Sequence, residues 1–129
     1  MSAALLEDLR RICGPANLLV GGDLSAYEHD WRRRMRGHAL AVALPGSTQE
    51  VAEVVKACQR HQVAIVPQGG NTGLAVGSVP DVSGRQLVLS LRRMDKVRAI
   101  DAANGTVTVE AGCILQNLQQ TVADAGLLF

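Results

Sequence analysis

A glycine-rich segment that directly follows a short apolar segment is the feature that most constrains the fold. Residues 63–66 (VAIV) are typical of a strand buried on both faces, because no polar residue alternates with the apolar ones. Residues 67–84 contain many glycines and small polar residues, which favours a loop. Backbone N–H groups in such a loop converge where no Cβ intervenes, and these arrays bind phosphate oxygens. The segment therefore indicates either a phosphate-binding loop or an ordinary surface loop.

The loop does not fit the two best-known phosphate-binding motifs. A Rossmann fingerprint would require glycine in place of Gln68 and a helix immediately after the loop. A P-loop would require a Gly-Lys-Ser/Thr ending, and residues 67–77 (PQGGNTGLAVG) contain no lysine. The Thr72 hydroxyl adds one further donor beside the glycines. The residues alone therefore name no ligand.

The segments before the loop predict an α/β fold. Residues 39–44 predict another buried strand. Residues 47–62 predict a helix that starts with a capping box formed by Ser47 and Glu50. Together with residues 63–66, they predict a β-α-β unit with a parallel, right-handed crossover.

The other patterns add elements at both ends of this unit. A helix at residues 2–13, ended by Gly14-Pro15, and an irregular segment at residues 17–37 come before it. After the loop, the sequence predicts a third strand at 87–91, an antiparallel hairpin of strands 97–101 and 106–110, and a helix at 115–125. A length of 129 residues is enough for one domain.

The composition excludes several classes of protein. Apolar residues make up 47% and charged residues 19%, which favours a folded chain over a disordered one. A formal net charge of +1 and few aromatic residues argue against a nucleic-acid or anionic-membrane surface. No apolar run approaches the ~20 residues that a membrane span requires. The four arginines within residues 32–36 favour a solvated loop over a polyanion site.

The cysteines and histidines predict no metal site. Cys13, Cys58 and Cys113 are odd in number and far apart, so they predict neither a disulfide framework nor a zinc site. The three histidines show no ligand spacing with each other. Thiols that pack as small core residues favour a reducing, cytoplasmic compartment, and the N-terminus lacks the features of a secretion signal.

Four groups of residues resemble, in order and spacing, the flavin-binding domain of the vanillyl-alcohol oxidase/p-cresol methylhydroxylase superfamily. Within it, the chain is similar to the FAD-linked D-2-hydroxy-acid dehydrogenases, which include D-2-hydroxyglutarate, D-lactate and glycolate dehydrogenases. The groups are residues 43–45 (ALP) with 50–51 (EV), 66–74 (VPQGGNTGL), 90–97 (SLRRMDKV) and 109–112 (VEAG).

The resemblance implies FAD as the cofactor and a set of residues that contact it. The loop from Gln68 to Leu74 would wrap the pyrophosphate, and Pro45 would lie against the adenosine half. Asn71 stands where branches with covalent flavin carry histidine, so the FAD is expected to be non-covalent. The full set is Pro45, Gln68, Gly69, Gly70, Asn71, Thr72, Gly73, Leu74, Gly77, Ser78, Ala111 and Gly112.

The resemblance also implies an oxidoreductase. It would oxidise a small D-2-hydroxy acid to a 2-oxo acid by hydride transfer to FAD, and a separate electron acceptor, not identified by this chain, would reoxidise the flavin. A homodimer stays open as the assembly, and no catalytic residue is assigned. Two alternatives remain: a non-catalytic nucleotide-binding or interaction module, and a sugar or alcohol oxidase of the same superfamily.

The expected organisation is one truncated domain. Residues 1–23 are expected to form an N-terminal helix and linker, and residues 24–129 the first half of a two-subdomain FAD-binding domain. A second glycine- and asparagine-rich segment and a substrate domain would follow Phe129 in a longer protein.

Overall fold

The computed structural model describes residues 2–129, except for the side chain of Ser2. In chain order, its elements are α1 (Ser2–Cys13), β1 (Leu18–Leu19), α2 (Ser25–Glu28), β2 (Ala39–Ala43), α3 (Thr48–Arg60), β3 (Ile65–Gln68), β4 (Gln86–Ser90), β5 (Val97–Asp101), β6 (Thr106–Val109) and α4 (Leu115–Asp124). The predicted α/β fold is confirmed.

Four strands form the central sheet in the order β1-β2-β4-β3. Strands β2 and β3 each pair in parallel with β4, which lies between them, and β1 pairs antiparallel with β2. The parallel orientation predicted for β2 and β3 is therefore confirmed, although the two strands are not neighbours. Because β2, β3 and β4 run in the same direction, the loops that follow them lie at the same edge of the sheet.

Two segments differ from the sequence prediction. The segment 17–37, predicted to be irregular, contains β1 and α2, which are too short to produce a detectable periodicity. Strand β3 lies at residues 65–68 instead of 63–66, because the Val63 N–H donates to the Cys58 carbonyl (2.9 Å) in the turn after α3. Pro67 therefore lies within a strand. An edge strand tolerates proline, since one side of its backbone has no partner in the sheet.

Helices α1 and α3 cover one face of the sheet. Leu5 and Leu9 of α1 and Val54 of α3 are fully buried against Leu87 and Leu89 of β4. Helix α3 begins as predicted, because the Ser47 Oγ accepts the Glu50 N–H (3.1 Å). Helix α1 thus shares one core with the β-α-β unit.

Two cysteines belong to the same core. Cys13 and Cys58 are buried in it, and burial raises the pKa of each thiol to about 11. A thiol with such a pKa stays protonated and unreactive at neutral pH. Both cysteines therefore act as small core residues, while the compartment inferred from them stays a prediction.

The opposite face of the sheet and the C-terminal elements are covered more thinly. Leu24, which precedes α2, and Tyr27, which lies in it, pack against Val42 and Val88. Strands β5 and β6 form a separate antiparallel hairpin, as predicted, with exposed or half-buried side chains, and α4 buries Leu118 and Val122. None of the helices within residues 2–129 is both long and apolar enough to cross a membrane.

Candidate functional site

The segment that we call the glycine loop, residues 69–78, begins where β3 ends. Gln68 and its register partner Ser90 are buried residues at the carboxyl ends of β3 and β4. In open α/β sheets, ligands bind at this edge. Most residues of the glycine loop are exposed, including Thr72 and the apolar Leu74, which is 59% exposed. The structure therefore presents the loop at the edge where a ligand is expected.

Gln68 fixes the base of the glycine loop from inside. Its side chain is only 1% exposed, and its Nε2 donates to the carbonyls of Tyr27 (2.9 Å) and Ser78 (2.8 Å). One amide thus joins α2, the end of β3 and the end of the loop. The Gln68 side chain therefore shapes the loop from a buried position.

Asn71 and Ser78 hold the glycine loop in the same way. The Asn71 Nδ2 donates to the His29 carbonyl (2.7 Å), and its Oδ1 accepts the Ser78 hydroxyl (2.8 Å). Asn71 has a φ of 55°, in the left-handed region that asparagine adopts more readily than most residues. Since these side chains already have partners, a ligand would meet the backbone of the loop.

The four glycines of the loop have no role in the packing of the chain itself. Gly69, Gly70, Gly73 and Gly77 all lack a positive φ. A Cβ at Gly69, Gly73 or Gly77 would meet no heavy atom within 4 Å, and one at Gly70 would lie 4.0 Å from the Thr72 methyl carbon. The fold would therefore accept ordinary side chains at all four positions. What glycine preserves here is a backbone surface that another molecule can approach closely.

Two buried polar atoms beside the loop have no partner. The Gln68 Oε1 and the Ser90 Oγ make no hydrogen bond within the described part of the chain. Leaving a buried polar group unsatisfied costs about 1–3 kcal/mol. Both atoms therefore fit a site that a polar ligand completes. Ser90 was not among the site residues predicted from the sequence, although a serine that ends an apolar strand was a usable signal.

Three other predicted cofactor residues lie in different surroundings. Pro45 is fully buried, so it offers no exposed surface to an adenosine group. Ala111 is exposed in an apolar groove on the α3 side of the sheet, beside Pro67. A Cβ at Gly112 would lie 1.8 Å from the Leu91 carbonyl oxygen, so this glycine permits close backbone packing within the chain. The predicted cofactor contacts of all three stay predictions, without support from their positions.

A cleft of about 470 Å³ adjoins the glycine loop. Gly70 and Asn71 line it from the loop, and Trp31, Arg33 and Arg92 line it from other segments. Trp31 is 64% exposed although it is the largest side chain of this cleft. The structure thus brings part of the arginine cluster, predicted to be a solvated loop, beside the candidate phosphate site.

One histidine outside this region, His61, has a structural partner. The His61 Nε2 lies 3.1 Å from the Asp8 carboxylate and joins α1 to α3, and this hydrogen bond is the main cause that lowers the pKa of Asp8. Within residues 2–129, no group of three or more histidine, cysteine, aspartate or glutamate side chains is arranged to hold a metal ion.

Comparison with known proteins gives sequence relatives over most of the chain. A FAD binding domain family matches residues 39–129. The D-2-hydroxyglutarate dehydrogenase of Xanthomonas citri pv. viticola is 42% identical over 107 residues, which cover 83% of this chain and 22% of that protein. The D-2-hydroxyglutarate–pyruvate transhydrogenase of Saccharomyces cerevisiae is 38% identical over 107 residues, covering 83% and 21%. The chain therefore spans about a fifth of the length of these relatives.

A solved structure shows the same fold. The 4-ethylphenol oxidase from Gulosibacter chungangensis matches with a TM-score of 0.83 at 25% identity, over 96% of this chain and 24% of that one. The family match covers more than two thirds of the chain and includes the glycine loop, Ser90 and the hairpin. The chain therefore belongs to the FAD binding domain family of flavin-dependent oxidoreductases.

Proposed function

We propose that the glycine loop binds the pyrophosphate of FAD without a covalent bond, and that the whole protein uses this FAD to oxidise a D-2-hydroxy acid to a 2-oxo acid. The observation that carries the first part is the set of four loop glycines that the chain itself does not need. Backbone amides without a neighbouring Cβ are suited to close contact with phosphate oxygens.

The buried groups around the loop support a bound polar cofactor. The unpaired Gln68 Oε1 and Ser90 Oγ lie at the carboxyl ends of two parallel strands, at the edge where the loop begins. An acceptor and a hydroxyl at this position suit the hydroxyl and phosphate groups of a dinucleotide. The Asn71 side chain supports non-covalent binding, because an amide is not a nucleophile and this one already has two partners.

The residues of this chain bind and orient the cofactor in the proposed function. FAD supplies the two-electron redox chemistry when it is bound. Gln68, Asn71 and Ser78 keep the loop in one conformation, so that the N–H groups are in place before binding. No residue of this chain, which spans about a fifth of the length of its relatives, is assigned to act on the substrate.

The sequence relatives favour the hydroxy-acid reaction over the other candidate activities. Both relatives named above are D-2-hydroxyglutarate enzymes by name, at 42% and 38% identity. The structural neighbour, an oxidase of a phenol, is 25% identical and supports the fold. The names of the two relatives differ in the electron acceptor that they imply, so we propose the substrate class and leave the acceptor open.

The variant Gly70→Val tests the cofactor site. A Cβ at this position would not be crowded, and the backbone φ is one that ordinary residues adopt. The variant should therefore fold like the wild type while its side chain blocks the loop surface. We expect at least a ten-fold loss of FAD affinity, measured by titration of the purified chain, with an unchanged circular dichroism spectrum. Ala123→Val, exposed on α4, is the control and should bind FAD like the wild type. Full FAD affinity in Gly70→Val would contradict the proposed site.

The reaction is tested with the whole protein. D-2-hydroxyglutarate and D-lactate, each beside its L-enantiomer, are mixed with the flavin-loaded protein without an electron acceptor. We expect loss of the flavin absorbance with a D-enantiomer only. Reduction by a sugar or an aromatic alcohol would favour the other oxidases of the superfamily, and no reduction by any of these compounds would favour a non-catalytic module.

A further inference from the structure

The segment that we call the arginine loop, residues 31–36, is held in one conformation from inside. The carboxylate of Asp30, which is 4% exposed, accepts the N–H groups of Met35 (2.8 Å) and Arg32 (3.2 Å). The Arg33 N–H donates to the Asp30 carbonyl (2.9 Å), and Arg33 has a φ of 53°. A non-glycine residue in this region is strained, and such residues are often found at functional sites. The loop is therefore ordered by hydrogen bonds to Asp30, although residues 31–36 are all exposed to solvent.

Two arginines line the same cleft as the glycine loop. Arg33 and Arg92 line the same cleft as Gly70 and Asn71, and the Arg92 guanidinium lies 5.1 Å from the centre of the Tyr27 ring. Within the described part of the chain, neither guanidinium makes a hydrogen bond or an ion pair. Arg36, by contrast, pairs with the buried Glu28 (3.4 Å). The cleft thus contains two guanidinium groups that have no ion-pair partner within residues 2–129, beside the Asp30 carboxylate, which accepts N–H groups of the arginine loop.

The two walls of the cleft are joined to each other. The Asn71 side chain of the glycine loop donates to the carbonyl of His29, which precedes the arginine loop by two residues. The His29 Nδ1 is buried and has no hydrogen-bond partner in the part of the chain that the structure describes. His29 also lines the cleft. The distance between the walls is therefore fixed by the fold before any ligand binds.

A pyrophosphate in the glycine loop would meet no charged side chain of the loop itself. Residues 67–78 include no lysine and no arginine, so the loop offers only partial charges from N–H groups. The pyrophosphate of a dinucleotide carries two negative charges, and guanidinium groups are well matched to phosphate oxygens. Arg33 and Arg92 share a cleft with Gly70 and Asn71, whereas Arg36, which shares another cleft with Gly77, is already paired with Glu28.

We propose that Arg33 and Arg92 form an anion clamp that faces the glycine loop and neutralises the pyrophosphate of the bound dinucleotide. The clamp rests on the proposed function, since it assigns further residues to the same cofactor. It also assigns a role to one member of the arginine cluster, whose residues are exposed as expected for a solvated loop. Arg34, exposed in the same loop, is not among the residues that line the cleft.

Arg33→Gln and Arg92→Gln test the clamp, with Arg34→Gln as the matched control. The purified chain is labelled with ¹⁵N and titrated with ADP and with FAD, and amide shifts of the loop glycines report binding even when it is weak. We expect each clamp variant to bind both ligands about ten-fold more weakly, and Arg34→Gln to stay within two-fold of the wild type. Added salt should weaken binding by the wild type more than by the double clamp variant.

The outcomes separate the clamp from the proposed function. If Arg33→Gln and Arg92→Gln bind like the wild type while Gly70→Val does not, the clamp is wrong and the glycine loop is still the cofactor site. An equal loss in Arg34→Gln also overturns the clamp, because the effect is then one of general charge. If the wild type shows no shift up to about 10 mM ADP or FAD, the clamp is wrong. The proposed function is then decided by the flavin content of the whole protein.

Discussion

Glycines occur both where the hairpin joins the sheet and in the glycine loop, and a Cβ atom would meet different surroundings in the two regions. At Gly112 it would lie 1.8 Å from the Leu91 carbonyl oxygen, whereas at Gly73 it would meet nothing within 4 Å. The first glycine is required by the packing of the chain against itself. The second is not required by that packing. A glycine without such an internal reason, beside unpaired buried polar atoms, is the observation on which the proposed cofactor site rests.

The largest effect is expected for Gly112→Ala, at the glycine that the packing of the chain requires. Backbone must move to accept the added Cβ, because the clashing atom is a carbonyl oxygen and not a flexible side chain. We expect a loss of about 3 kcal/mol in the free energy of unfolding, measured by urea denaturation. Gly73→Ala is the matched control and should change that free energy by less than about 0.5 kcal/mol. Equal effects of the two variants would remove the distinction.

Asn71→Ala should have a smaller effect, because it removes the side chain that ties the glycine loop to its surroundings. It deletes hydrogen bonds to His29 and Ser78 and leaves alanine at a φ of 55°. We expect a loss of about 2 kcal/mol in the free energy of unfolding. Asn71→Gly keeps the backbone conformation without strain and should lose less, so the difference between the variants measures the strain. A wild-type stability in Asn71→Ala would mean that the loop is held by other contacts.

Asp30→Asn should remove a pH-dependent contribution of the Asp30 carboxylate to the stability of the folded state. Hydrogen bonds from the N–H of Met35, and then of Arg34 and Arg32, lower the pKa of Asp30 below its ordinary value of 3.8. A lowered pKa means that the ionised carboxylate stabilises the folded state above pH 3.8, and that this stabilisation is lost as the pH falls through the folded-state pKa. The wild type should therefore be more stable than Asp30→Asn at pH 7.

The measurement is the unfolding midpoint of both proteins from pH 7 to pH 2. The difference between the two midpoints should shrink below pH 3.8. A difference that is constant over the whole range would show that the Asp30 charge does not hold the arginine loop. A thermal scan at each pH value is sufficient, provided that unfolding is reversible.

Val76→Gly should give the smallest effect and the opposite sign. Val76 is a β-branched residue of the glycine loop with a φ of 63°, a conformation that such residues rarely adopt. Glycine relieves this strain but adds freedom to the unfolded chain, so we expect a net gain of about 0.5–1 kcal/mol in the free energy of unfolding. Val82→Gly, at a strongly exposed position without a positive φ, is the control and should not stabilise the chain.

The regular elements could be predicted from local sequence because each one has a local cause. Buried strands appear as unbroken apolar runs, α3 begins at its capping box, and the hairpin is marked by its Asn104-Gly105 turn. The errors occurred where a local signal is weak. Strand β1 has two residues and α2 has four. Pro67 argued against a strand at its position, because proline is tolerated within a strand only where that strand lies at the edge of a sheet, as β3 does.

The candidate site also has one part that could be predicted from the sequence and one part that could not. The sequence by itself determined that a glycine-rich loop follows a buried strand, because composition and order are local properties. Only the tertiary structure decided that Gln68 bonds to Tyr27, 41 positions away, and Asn71 to His29, 42 positions away. The same holds for the cleft, in which Arg33 and Arg92 meet the glycine loop. No local pattern encodes these pairs, because they result from how the sheet orders its strands and so brings distant loops to one edge.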